Sequence, residues 1–123
     1  MARMKYVPKV FAGWGGEAVP FDSAAQAWLW YGACQLARND GARPVAGVCD
    51  VPRPCDPDDI YCAVWRLYRG HRLRRGHLSV LGRFAVLQRV PDPLSGDGRG
   101  QAILWDEAMD RLGGELRGRG ILA

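Results

Sequence analysis

The chain has 123 residues, 48% of them hydrophobic, and a formal net charge of +4 at pH 7. That length points to one domain able to bury a core without metals or disulfides, and the apolar content with five tryptophans argues against disorder. No stretch approaches the roughly 18 apolar residues of a membrane span, so no membrane partner is expected.

Residues 1–21 are broken by Pro8, Gly13, Gly15, Gly16 and Pro20 and read as an irregular N-terminal arm, with Tyr6, Val7, Phe11 and Trp14 able to dock on a core. The arm holds no apolar run of signal-peptide length, so a cytoplasmic location with reduced thiols is expected. A single helical domain, 22–123, follows. Ser23-x-x-Gln26 is a capping box, and Ala24 to Asn39 is rich in helix formers, with Gly41 just beyond. Trp28, Leu29, Trp30, Tyr31, Cys34 and Leu36 surround most of this first helix, which makes it central in the fold or, through Trp28, Trp30 and Tyr31, a protein or homodimer interface.

Pro44, Gly47, Pro52 and Pro54 make residues 42–55 a loop or a short edge strand. A second helix starts at Asp56-Pro57-Asp58-Asp59, where Asp56 caps, Pro57 suits the first position and the next two acids favour the positive helix end. Ile60, Val64, Leu67 and Tyr68 form its apolar stripe, and Gly70 offers a stop. After a short turn, Arg74 to Arg89 reads as a third helix, ended by Val90-Pro91-Asp92-Pro93. Ser95 to Gly100 is a flexible loop. A fourth helix runs from about Gln101 to Arg117, with Trp105, Ala108, Met109, Leu112 and Leu116 facing inward and Gly113-Gly114 weakening or bending it. The expected fold is therefore all-α: a compact bundle of about four helices, with the second and third packed antiparallel as a helix-turn-helix-like pair.

Charge is distributed unevenly. From Ile60 to Pro91 there are seven arginines, two histidines and no Asp or Glu, leaving −3 for the rest of the chain. On a helical wheel of the third helix, Leu73, His77, Val80, Leu81, Phe84 and Leu87 share one arc, opposite Arg72, Arg75, Gly76, Ser79, Gly82, Arg83, Val86 and Arg89. Arginines among small residues suit close approach of a helix to a phosphate backbone. The candidate nucleic-acid contacts are Arg66, Arg69, Arg72, Arg75, Ser79 and Arg83, which point to a small DNA-binding or transcription-associated protein. The alternatives are an adaptor docking on an acidic protein surface, and an ordinary solvated face paired with Asp106, Glu107 and Asp110.

Catalytic and metal chemistry find little support. Cys34, Cys49, Cys55 and Cys62 lack paired CxxC spacing, although Cys49 and Cys55 could meet at a metal with His71. Cys34 and Cys62 read as core thiols, and His77 as a buried, hydrogen-bonded histidine. Gly13-x-Gly15-Gly16 has neither the strand nor the Lys-Ser/Thr of a phosphate loop. No catalytic residue, metal ligand or cofactor is expected, and the protein reads as a non-enzyme.

The run Arg53-Pro54-Cys55-Asp56-Pro57-Asp58-Asp59-Ile60, then Leu67-Tyr68-Arg69, Leu104-Trp105-Asp106-Glu107-Ala108 and Gly120-Ile121, resembles a group of short uncharacterised alphaproteobacterial proteins across residues 21–122. The resemblance implies a bacterial cytosolic protein and no particular chemistry.

Overall fold

A computed structural model describes residues 18–39 and 51–123. Helices α1 (Ala24–Asn39), α2 (Pro57–Arg69), α3 (Arg75–Leu87) and α4 (Gly98–Gly118) form an all-α bundle. Residues 1–17 of the expected arm, and most of the expected 42–55 loop, lie outside the described residues.

Local chemistry sets the helix starts. The Ser23 hydroxyl accepts from the Gln26 backbone N–H at 3.1 Å, and the Gln26 side chain reaches back to the Asp22 N–H at 2.7 Å. At α2 the Asp59 carboxylate accepts from the Asp56 N–H at 2.9 Å, with Pro57 in the first turn. α2 stops at the expected Gly70, which is the C-cap at an ordinary φ of −83°, while the left-handed residue that follows is His71, at φ 62°. Bonds from Gly70 N–H to the Arg66 carbonyl and from Arg72 N–H to the Leu67 carbonyl close this end, so a histidine occupies the position that usually takes glycine.

α1 packs against all three other helices, making it the central element. α2 and α3, by contrast, do not pack on one another, which corrects the expected antiparallel pair. The aromatic side chains of α1 hold them apart: Trp28 is 4% exposed and donates its indole N–H to the Leu81 carbonyl of α3 at 2.8 Å. Its ring stacks on Tyr31, which in turn stacks on Tyr61 of α2. Gly32 brings the α1 and α3 backbones together, since a Cβ there would lie 2.9 Å from the Ala85 carbonyl oxygen. Gly32→Ala is thus expected to lower stability by about 1–2 kcal/mol in urea unfolding despite alanine's better helix propensity, because a backbone carbonyl cannot step aside.

α4 starts three residues before the expected Gln101. Asp97, buried just before it, anchors the glycine-rich segment, and the Gln101 side-chain amide donates to the Asp97 carbonyl at 2.8 Å. The helix continues through Gly113-Gly114, and buried Gly113 faces Ala24 and Leu122. The C-terminal tail packs back. Ile121 and Leu122 are buried, and Phe21 pairs with Leu122 in a parallel bridge, accepting from the Ala123 N–H at 2.9 Å. α3 ends at Leu87, two residues short of Arg89, on a left-handed Gln88 whose side chain donates to the Leu29 and Ala85 carbonyls. Leu87, expected inside, is exposed, as is Cys62.

Candidate nucleic-acid interface

The arginines of the basic block fall into two groups. Arg66 meets Glu115 of α4 at 3.3 Å. Arg89 forms a bidentate pair with Asp97, at 2.6 and 3.1 Å. Arg69, Arg72, Arg74, Arg75 and Arg83 form no ion pair among the described residues. Asp106 and Asp110 make no such pair with the block either. Glu107 turns instead to His77 and Arg111, so among the described residues the α4 acids reach the block at His77 and, through Glu115, at Arg66, and not along the arginine stripe.

Arg72 sits in the α2–α3 turn rather than on the helix. Arg75, Ser79 and Arg83 follow at four-residue intervals along the exposed side of α3, a stripe of about 12 Å at the helical rise. Tyr68, Arg69, His71, Leu73, Arg74 and Arg75 line a depression at the turn. Five of the six candidate residues therefore run continuously from the end of α2 over the turn and down α3. Arg66 lies apart, tied to α4. The Arg83 guanidinium stands 5.6 Å from the Phe84 ring centroid, and Arg89 5.3 Å from it.

Asp97 fixes one end of this surface. The hydrogen bond from Arg89, followed by the Asp92 backbone N–H, holds its carboxyl at a pKa of about 2 against a free value of 3.8. A depressed folded-state pKa means that the carboxylate stabilises the fold above about pH 4, a contribution lost as the pH falls toward about 2. Asp97→Asn is accordingly expected to be less stable than the parent at neutral pH, with the gap closing between about pH 4 and pH 2 in stepped-pH urea melts.

His77 is 1% exposed. Its Nδ1 accepts from the Arg74 backbone N–H at 3.0 Å, which leaves Nε2–H to donate to Glu107 at 2.9 Å. That bond is the main reason the Glu107 carboxyl sits below its ordinary pKa. The histidine thus caps α3 and ties it to α4. Burial, reinforced by Asp59 and Asp56, pushes the Cys55 thiol up to about 12, so it is protonated at neutral pH and a poor nucleophile. Cys49 lies outside the described residues, and among those residues no group of His, Cys, Asp and Glu could hold a metal ion.

Beside the arginine stripe a groove of about 280 Å³ opens between α2 and α3, floored by α1. Trp28, Tyr31, Tyr61, Trp65, Leu78 and Gly82 contribute to its lining. Burial, with Tyr61 next, raises the Tyr31 phenol above its ordinary pKa. Of the two expectations for the first helix, the central position holds: Trp28 is buried, Trp30 and Tyr31 are half-buried, and the exposed aromatic edge belongs to Tyr61 and Trp65. The signal for it was present, since Tyr61 and Trp65 fall four apart and off the Ile60/Val64/Leu67 stripe.

Among known proteins, the chain matches no family model, no curated protein and no solved structure. Among the described residues no helix is long and apolar enough to cross a membrane.

Proposed function

We propose that the protein is a small nucleic-acid-binding, transcription-associated protein that acts by binding rather than catalysis. Arg69, Arg72, Arg75 and Arg83 contact phosphates, Ser79 adds a hydroxyl donor, and Arg66, held by Glu115, contributes background charge. The observation that carries this reading is the run of exposed arginines that have no carboxylate partner among the described residues, in a chain whose other basic-block arginines, Arg66 and Arg89, are paired. Fixed charges left open on one surface suit a polyanion.

Gly82 adds a second support. It lies in mid-helix beside the stripe, and a Cβ there would meet nothing within 4 Å among the described residues, so no packing among them requires a glycine. Gly82→Ala is expected to stabilise the isolated protein by about 0.5–1 kcal/mol. The same change is expected to weaken nucleic-acid binding, because it thickens the surface where a partner approaches; thermal unfolding and binding titrations read the two effects separately.

The test is fluorescence anisotropy of labelled random-sequence DNA titrated at several salt concentrations. The proposal expects binding whose log–log salt slope corresponds to about −0.9 per contacted phosphate on duplex. Absence of binding at about 50 mM salt would turn the search to an acidic protein surface.

A further inference from the structure

We infer that the groove between α2 and α3 receives an unpaired base, so that the preferred ligand is a single strand rather than a duplex. This rests on the nucleic-acid reading above and names its substrate class.

Five aromatic rings form a file through the groove to the basic turn. Trp28 and Tyr31 stand 4.9 Å apart, Tyr31 and Tyr61 5.7 Å, Tyr61 and Trp65 6.0 Å, and Trp65 and Tyr68 5.4 Å between centroids. The inner members are bound into the core, whereas Tyr61 and Trp65 remain 41% and 36% exposed. The outermost ring, Tyr68, lines the depression that also holds Arg69, His71, Arg74 and Arg75. On the opposite wall, Leu78, Gly82 and Val86 face the groove from the same helix that carries Arg75, Ser79 and Arg83 outward.

Planar rings flanked by fixed cations are the arrangement that binds single strands: the base stacks while arginines hold the phosphates on either side. The lining itself is uncharged. The helix that forms one wall carries Arg75 and Arg83 on its outer side, and Tyr68 leads to Arg69, Arg74 and Arg75, so an occupant attached to phosphates is favoured over a neutral apolar peptide. Size agrees, since about 280 Å³ accepts a planar heterocycle. A duplex keeps its bases stacked on each other and cannot offer one to the groove.

The experiment titrates the full chain with three labelled probes of equal length: oligo-dT, a strand of abasic sites carrying the same phosphates, and a duplex. Trp65→Leu and Trp65→Phe are measured beside the parent; Trp65 is exposed enough for both to keep the fold, as circular dichroism would verify. The expected result is oligo-dT binding tighter than the abasic strand by roughly 5- to 150-fold, the equivalent of one stacked base. Tryptophan quenching should accompany it, the preference should vanish in Trp65→Leu, and Trp65→Phe should recover part of it. Equal binding of all three probes, unaffected by Trp65→Leu, would overturn the inference while leaving the phosphate contacts standing. Failure of every probe at low salt would overturn both. Self-association abolished by Trp65→Leu, without any dT preference, would assign the groove to a second copy and also overturn it.

Discussion

Replacing Arg72, Arg75 and Arg83 together with alanine is expected to lower nucleic-acid affinity at least tenfold at low salt and to flatten the log–log salt slope by roughly two to three units. The size follows from counting: each arginine that neutralises one phosphate releases about 0.9 of a counterion, and all three are free to do so. Arg72 and Arg75 form no ion pair among the described residues, and Arg83 contacts only the Phe84 ring and the outlying field of Asp97. Stability should hardly change, because exposed arginines without partners contribute little to folding. A control variant, Arg66→Ala, removes one charge of the same sign but one already paired with Glu115, and is expected to move the slope by less than one unit.

The second large effect lies beneath that surface. Phe84→Ala is expected to destabilise the protein by about 3–5 kcal/mol, measurable as a lowered urea midpoint with an unchanged slope. Phe84 is fully buried, meets Trp105 edge-on at 5.9 Å, and so joins α3 to α4 in the core. The same ring supports Arg83 and Arg89 on its faces. Phe84→Leu conserves most of the volume but removes the aromatic face, and should cost less stability while loosening both guanidinium groups.

Sequence made the local features legible. Ser23 with Gln26 specifies the first helix start through bonds that span three or four residues, and the structure keeps them. The second start falls at Asp56-Pro57 as expected, with Asp59, read only as favouring the positive helix end, also accepting from the Asp56 N–H. The buried stripes of α2 and α4 and the burial of His77 followed from helical period alone. What escaped depends on distant residues. The separation of α2 from α3 is set by Trp28 and Tyr31, which lie far upstream and fill the space that a short turn would otherwise close. The choice of Glu115 and Asp97 as arginine partners, rather than Asp106 or Asp110, depends on how α4 lies against its neighbours. The stop of α2 at Gly70 was legible, whereas the left-handed turn at His71 carries no glycine to mark it. Arg72 lies in the turn, as the expected start of the third helix at Arg74 already implied, and Arg66 is tied to α4 by a partner distant in sequence.

The most direct test of the central claim, that the turn and outer side of α3 form the nucleic-acid surface, is residue-level mapping by heteronuclear NMR. Amide and arginine side-chain Nε–Hε resonances would be followed while a short DNA strand is added at low salt. The account predicts that the largest shifts fall on Arg69, Arg72, Arg75, Ser79, Gly82 and Arg83, with smaller ones at Trp65. Shifts concentrated on α4 around Asp106 and Asp110, or none at all at low salt, would contradict it.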